Sequence, residues 1–515
     1  MSGYVFSPLV WLIALTSKLH KYPPPQSPRS MANESRKVTF SVDRDSNFSE
    51  WYNTIIRQAE LIDDRFNIKG MVVYRPLAMK LTKAIYGLLE ERLETSGHQP
   101  VLFPVLIPEE NLSKEAEHIK GFKPETYWVT MGGGETLTSR YALRPTSETA
   151  FYFMYSQWLR SPSDLPLKLY QSVAVYRHET KATKPLLRGR EFLWIEAHDV
   201  FATAEEAIEQ VREDERMTRE VIEGELSVPI LFLLKPQWDK FAGAVNTYAA
   251  EAVMPDGMVL QVATTHYLGK NFSEAFDLGY YDAEGKKRRV EQTCFGPGVS
   301  RILAAIISVH GDNLGLVMPF KVAPVQAVIV PIPGPGVEEL ARAIASRLRD
   351  KGIRVELDES EETPGAKFYK WEFRGVPLRI EVGEREVSSS RVTVFDRVAR
   401  ERNSVSLSEL DGFLEEFPEA QHRALRDRAE GMFQRLMGEA DSLQKARELT
   451  SSGKRVLKAY LCSLDLDGEG CAERIEKELG LSVRGELLNA EKPRDKKCIA
   501  CGREARHEVF LAEAD

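Results

Sequence analysis

VAVYRHETKATKPLLRGREFLWIEAHD, residues 173–199, is the segment that organises the chain around it. An apolar run ends in Arg177-His178-Glu179, and a loop rich in Lys and Thr follows. The chain then resumes as Arg188-Gly189-Arg190-Glu191-Phe192 and an apolar strand from Phe192 to Ile195. Two β-like runs joined by a charged loop predict a hairpin. Arginines in and beside the loop suit a polyphosphate, because a guanidinium fork meets phosphate oxygens bidentately and keeps its charge. Phe192, four residues after Arg188, offers a flat face to an aromatic base. Taken alone, the pattern also describes a surface hairpin whose charges are merely solvated, so its surroundings must decide.

The 515 residues suggest roughly three domains with a substantial core. With 28% charged and 43% hydrophobic residues the composition is that of a globular chain. A net charge of −8 argues against a protein basic all over, but not against a local nucleic-acid surface. Of five cysteines, four fall beyond position 460, which is no disulfide framework and points to a reducing compartment. Val5 to Leu15 is apolar but too short to span a bilayer, and a Pro/Ser segment and Met31 follow it. A targeting segment is one reading of residues 1–30. An extended start site or disordered tail, with the working chain beginning near Met31, is the favoured one. No other segment is long and apolar enough for a membrane span.

The Arg-x-Glu, loop, Arg-x-x-x-Phe pattern of Arg177, Glu179, Arg188 and Phe192 resembles motif 2 of the class II aminoacyl-tRNA synthetases. Upstream, Asn47 to Phe66 reads as an amphipathic helix and Ala78 to Ser96 as a long one. A strand from His98 to Ile107 then carries Pro100 and Pro104, and a proline there needs a strand edge or a bulge. Helix and strand resemble motif 1, which implies a dimer interface with Pro104 as its proline. Downstream, Gln292-Thr-Cys-Phe-Gly-Pro-Gly-Val-Ser-Arg301 leads into an apolar helix, and its glycines admit close backbone approach. It resembles motif 3.

Tyr141-Ala-Leu-Arg-Pro-Thr-Ser-Glu148 is standard helix-start chemistry, and it also sets a hydroxyl and a carboxylate two residues apart. Both readings hold together as a capped helix whose first turn faces a pocket. The Arg-Pro-Thr-Ser-Glu string resembles the prolyl-tRNA synthetases, in which its Thr and Glu hold the ammonium of proline. Gln261, Thr264, Thr265 and His266 resemble a segment of the same family, with Thr265 in a position that is usually serine. Only about 60 residues separate the hairpin from Gln261, which resembles the archaeal/eukaryotic type without an editing insertion.

From Val322 to Leu410, strands alternate with helices, as in a small α/β layer domain. This part resembles an anticodon-binding domain, notably in Pro364-Gly-Ala-Lys-Phe-Tyr-Lys-Trp-Glu372 and Arg374-Gly-Val-Pro-Leu-Arg379. Lys367, Glu372 and Arg374 suit base contacts, and a solvated helix face is the alternative. Phe413 to Ser452 reads as charged helix. Cys498-x-x-Cys501 has zinc spacing, Cys462-x₈-Cys471 is looser, and free thiols are the alternative. The resemblance implies that these four cysteines bind Zn²⁺. Family members usually end in tyrosine, and this chain ends in Asp515.

The resemblance therefore implies an α/β (α+β) fold in four parts. These are an N-terminal extension (1–36), an antiparallel-sheet class II catalytic domain (37–320), an α/β anticodon-binding domain (321–412) and a C-terminal zinc-containing α+β domain (413–515). It implies a ligase that activates L-proline with ATP and Mg²⁺ and charges tRNA(Pro). Arg177 and Arg301 are the expected catalytic residues. Arg177, Glu179, Arg188, Phe192, Gln261, Thr264 and Arg301 are the expected ATP set. Thr146, Glu148, Arg177, Trp194, Glu196, His198, Phe241 and His266 are the expected proline set. A cytoplasmic homodimer off the membrane is expected. A sister synthetase for threonine, serine, glycine or histidine, and a catalytically silent tRNA-binding paralogue, are the rival readings. The Arg-Pro-Thr-Ser-Glu string and the cysteines speak against the first. Arg177, Arg188 and Arg301, all present, speak against the second.

Overall fold

The structure is a computed structural model that describes residues 40–118 and 125–514, with side chains of 114–118 left out. The strands and helices among the described residues all belong to one unit that begins at Val42. The expectations for residues 1–36 and for Asp515 lie outside the described residues.

The predicted hairpin forms. Leu167–Tyr176 and Glu191–Phe201 pair antiparallel, with Tyr176 opposite Glu191 at the loop end. They belong to an eleven-stranded sheet. Beside the second arm run Glu291–Pro297, Val259–Gly269, Asn246–Val253 and Ile230–Leu234, each antiparallel to the next. Strand side chains alternate between faces. Phe192, Trp194, Glu196 and His198 therefore share one face, and Leu193, Ile195, Ala197 and Asp199 the other. The helix Val299–His310 is apolar nearly all round and buried except at Arg301, as a helix enclosed in a core must be. It lies behind the sheet, where Ser300 Oγ accepts from Leu193 N at 2.9 Å.

Several expected elements are shorter or interrupted. The first helix is Phe48–Gln58 and stops well before Phe66, because Glu60 takes a left-handed conformation and a short strand, Ile62–Asp63, follows. The long helix is Pro76–Thr95. The strand expected from His98 to Ile107 is only Gln99–Pro100 and Leu106–Pro108, with Pro104 between them. Proline gives no N–H to a ladder, and pairing lapses around it. The charged helix expected from Phe413 to Ser452 is two helices, Leu410–Leu436 and Leu443–Ser451, with the strand Met437–Glu439 between.

Ala327–Pro331 is parallel to Val355–Leu357 and Leu378–Val382, and Arg391–Asp396 and Glu401–Ser406 extend the sheet antiparallel. Helix Val337–Asp350 buries Val337, Ala341, Ile344 and Leu348 on one face, and Trp371 of helix Pro364–Phe373 packs on the other. Beyond residue 436 the chain adds Val456–Leu461, Ser482–Leu487 and His507–Ala512. These strands join the same eleven-stranded sheet, through Glu486 opposite Leu234 and Leu487 opposite Leu233. Gly485 makes that seam feasible: its φ is +134°, and a Cβ there would stand 2.2 Å from Leu234 O. No helix among the described residues is long and apolar enough to cross a membrane.

Candidate active site

A cleft of about 650 Å³ opens on the face of the sheet that carries Phe192, Trp194, Glu196 and His198. Every side chain expected from the sequence to bind ATP or proline lines it. The hairpin brings Arg177, Glu179, Arg188, Phe192, Trp194, Glu196 and His198. Strand Val259–Gly269 brings Gln261, Thr264 and His266, the helix Val299–His310 brings Arg301, and the segment before helix Glu148–Trp158 brings Thr146 and Glu148. Phe241 closes one wall.

The floor is a buried polar network. Ser147 is the N-cap of helix Glu148–Trp158, yet its side chain does not cap. Its hydroxyl instead donates to Glu196 Oε1 at 2.6 Å, and its N–H donates to Glu196 Oε2 at 3.0 Å. The capping half of the reading of this string is thereby corrected: the hydroxyl is committed to the pocket. Gln171 Nε2 adds a bond of 2.7 Å to Glu196 Oε1, and His198 Nε2 lies 3.2 Å from Oε2. Burial alone raises a carboxyl pKa. Here donation from His198, Ser147 and Gln171 outweighs it and holds Glu196 below its ordinary value. Burial pulls His198 down, but Glu196 and the nearby Glu148 outweigh it, and His198 ends above its ordinary value. Thr146 Oγ1 donates to Glu148, itself only 4% exposed, and Cys294 Sγ stands 4.0 Å from the other Glu148 oxygen. His266 stacks on Phe241 with centroids 4.6 Å apart and pairs through Nδ1 with Thr247 Oγ1 at 2.9 Å. Burial, then the charges of His198 and Arg177, press His266 down to about 3, so it is neutral near pH 7.

The opposite wall is cationic. Arg177 Nε donates to Pro145 O at 3.1 Å, and the guanidinium lies 5.2 Å from the Phe192 ring and 5.6 Å from Trp194. Enclosure lowers its pKa, and Glu148 and Glu196 partly restore it. Arg301 is braced by Leu187 O at 2.9 Å and Gln261 O at 3.0 Å, and Gln261 Nε2 donates to Thr264 Oγ1 at 2.7 Å. Glu179 receives Lys181 N at 2.8 Å, and its carbonyl holds Arg190. The Arg188 guanidinium has no partner among the described residues. Trp194 Nε1 is likewise buried without an acceptor among them. A carboxylate end and a guanidinium end in one cleft suit a ligand carrying both an ammonium and a chain of anionic oxygens.

Sequence reasoning missed part of the lining. Lys235, 3% exposed, lies 2.7 Å from Asp239 and 3.4 Å from Glu251. Arg484, from the C-terminal strand Ser482–Leu487, reaches the same Glu251 with Nε at 3.0 Å and lines the cleft. No local motif marks a residue that arrives by strand pairing across nearly 250 positions of chain. Cys294 had a signal, since it lies inside the motif 3 segment two residues before Gly296.

The other expected sites lie apart. Lys367 is buried, with Nζ on Asp358 O at 2.8 Å, whereas Arg374 pairs with Glu60 at 3.0 Å and Glu372 lies 3.9 Å from Arg379. The sulfurs of Cys462, Cys471, Cys498 and Cys501 all lie within 4.8 Å of one another, and none is bridged. Cys462 Sγ stands 3.7 Å from Cys471 and 3.8 Å from Cys501. Four thiolates at about 2.3 Å from one ion at a tetrahedral centre are spaced about 3.8 Å apart, so this donor set fits zinc.

Two family descriptions match the chain: the tRNA synthetase class II core domain (G, H, P, S and T) over residues 127–310, and the anticodon binding domain over residues 326–417. The chain is 49% identical over 481 residues to the proline–tRNA ligase of Thermofilum pendens, covering 92% of this chain and 98% of that one. It is 42% identical over 471 residues to the proline–tRNA ligase of Methanopyrus kandleri, covering 90% and 96%. Its fold is similar to that of Giardia lamblia prolyl-tRNA synthetase in complex with prolyl-adenylate, with a TM-score of 0.89, 34% identity, and 93% and 100% of the two chains covered. It is also similar to Cryptosporidium parvum prolyl-tRNA synthetase complexed with halofuginone and AMPPNP, with a TM-score of 0.87, 31% identity, and 93% and 99% covered.

Proposed function

The chain belongs to the proline–tRNA ligases, and from that premise we propose how its cleft activates proline with ATP and charges tRNA. The observation that carries the reading is one cleft in which buried Glu148 and the Arg177 guanidinium offer opposite charges to the two ends of one amino acid. Proline's secondary ammonium carries two N–H donors, and Glu148 with Thr146 accepts them. Glu196 and His198 hold the floor beneath, and Trp194, Phe241 and His266 wall the ring. Arg177 bridges the proline carboxylate and the α-phosphate. Arg188 and Arg301 take the outer phosphates, and Phe192, Glu179, Gln261 and Thr264 take the adenosine.

The proline carboxylate attacks the α-phosphorus, the bond to the β-phosphate oxygen breaks, and pyrophosphate leaves. Positioning and charge neutralisation lower this barrier without a protein nucleophile. ATP enters with its Mg²⁺, as the metal–nucleotide substrate. The terminal ribose hydroxyl of tRNA then attacks the activated carbonyl and releases AMP.

Four further assignments belong to the proposal. Residues 37–320, 321–412 and 413–515 act as catalytic, anticodon-binding and zinc-binding domains, with Glu372 and Arg374 beside the RNA and Lys367 positioning Asp358 behind them. Zinc held by Cys462, Cys471, Cys498 and Cys501 ties the C-terminal part together. The enzyme is a homodimer: Leu102 is 80% exposed, and Val105 and Leu106 beside Pro104 are also open, where a seam would cover them. Its unbridged cysteines suit the reducing cytoplasm. Amino-acid-dependent exchange of pyrophosphate into ATP tests the reading. Proline should support it, and faster exchange with threonine, serine, glycine or histidine would overturn it.

A further inference from the structure

A second cleft, of about 540 Å³, lies at the far end of the helix Val299–His310 from Arg301, about 15 Å along its axis. Three separate parts of the chain bring its arginines. Arg44 precedes the first helix, Arg400 lies in the turn between strands Arg391–Asp396 and Glu401–Ser406, and Arg428 and Arg435 stand on helix Leu410–Leu436. Its acids are Asp45 and Asp312.

Asp312 is already saturated. Arg397 grips it with both terminal nitrogens at 2.7 and 2.9 Å, and Arg400 adds a bond at 2.8 Å. The Arg44 and Arg428 guanidinium groups are held by neutral atoms. Arg44 donates to Gly311 O at 2.7 Å and to Val309 O at 3.4 Å, and its Nε is buried with no acceptor among the described residues. Arg428 donates to His310 O. No acid pairs with Arg428 or Arg435 among the described residues. Burial first, then the like charges of Arg44, Arg397 and Arg400, press Arg428 down to about 10, although Asp312 pulls the other way. The fold thus gathers cations whose mutual repulsion Asp45 and Asp312 offset only in part, and an added anion would relieve it further.

We propose that this cleft binds a multiply charged phosphate, held by Arg44, Arg428 and Arg435. Guanidinium forks match phosphate oxygens in geometry as well as charge. A carboxylate would answer only one of the three cations, and the volume exceeds that of a single small ion. The same chemistry is offered by a free di- or triphosphate and by a stretch of nucleic-acid backbone.

The test uses the full chain, with the catalytic cleft filled by a non-hydrolysable analogue of prolyl-adenylate. Inorganic tripolyphosphate is titrated calorimetrically into the wild type, Arg435→Ala and Arg428→Gln, and tRNA binding is measured for each across a salt series. Arg435 is exposed and unpaired, so its variant tests the site even if Arg428→Gln folds poorly. Weakening of tripolyphosphate by ~10-fold in the variants, with tRNA-free pyrophosphate exchange unchanged, supports a free polyphosphate. Weakening confined to tRNA, with the slope of log affinity against log salt reduced by about one per arginine removed, supports the nucleic-acid backbone. If Arg435→Ala moves neither titration, the site is overturned.

Discussion

The Ser147 hydroxyl reaches across to Glu196 and donates to it at 2.6 Å, although Ser147 occupies the N-cap of a helix that it leaves without a side-chain cap. Glu196 is buried and depends on Ser147, Gln171 and His198 for its charge. Ser147→Ala removes one of these donors. A partly unsatisfied buried carboxylate costs about 1–3 kcal/mol. The variant should melt earlier and bind proline less tightly, while the Michaelis constant for ATP stays near its wild-type value. Thermal melts and exchange kinetics with each substrate varied will check this.

Asp214 lies under the sheet, 2.7 Å from Gln210 Nε2 and 3.2 Å from Thr265 Oγ1. Burial, then repulsion from Asp199, lifts its carboxyl to about 7 from an ordinary 3.8. Between those values the native protein holds a proton that the unfolded chain has released, so this group's contribution to stability falls as pH rises and its penalty is complete above about 7. His266 and His310, both held down to about 3, act in the opposite direction between about 3 and 6.5. A difference measurement isolates the acid. Asp214→Asn should gain on the wild type by about 1.4 kcal/mol per pH unit across this window, up to a few kcal/mol. Chemical denaturation of both proteins at pH 5 and pH 8 will measure it, and a gap independent of pH would refute it.

Local pattern carried the site but not its supports. Arg177, Glu179, Arg188 and Phe192 were legible at the two ends of the hairpin's charged loop, whereas Trp194, Glu196 and His198 followed only from the family resemblance. The Thr146-Ser147-Glu148 string was legible as a helix start facing a pocket. The diversion of Ser147 to Glu196 was not, because it depends on a strand 49 residues away. Arg484 was invisible for the same reason, as was the joining of the C-terminal strands to the central sheet. Pro104 was read as lying within a strand, and the structure leaves it between two short ones. Lys367 was read as a base contact, with a solvated helix face as the alternative, yet the Asp358 carbonyl draws it inward.

The seam between Ser482–Leu487 and Ile230–Leu234 ties the cysteine cluster to the cleft. Chelation, or Cys498→Ser, should release about one zinc per chain and lower the melting temperature. Because Arg484 grips Glu251 beside Lys235, loosening should also reach the cleft wall, weakening activation modestly without abolishing it. Metal analysis with melting and exchange assays will check this. Protein without bound metal, whose melting ignores chelators, would leave four thiols.

Proline selectivity should rest on Glu148 more than on any apolar wall. A pocket of this size excludes alanine only weakly by shape, since apolar discrimination is worth about 1–3 kcal/mol per methylene. An acceptor placed at the ammonium discriminates through the cost of leaving it unpaired, and Glu148 at 4% exposure has little water to fall back on. Its one clear donor among the described residues is Thr146 Oγ1, which meets Oε2. Cys294 Sγ, 4.0 Å from Oε1, is at most a weak donor, so that oxygen remains for the ligand. Glu148→Gln preserves the shape and removes the charge. The Michaelis constant for proline should rise by ~10-fold or more, as expected for losing a charge-assisted hydrogen bond, and that for ATP should hold. Thr146→Val should move the same constant in the same direction and by less, because it frees a Glu148 oxygen without removing the charge. If proline and ATP constants rose together in Glu148→Gln, the carboxylate would be supporting the fold of the cleft rather than reading the ammonium.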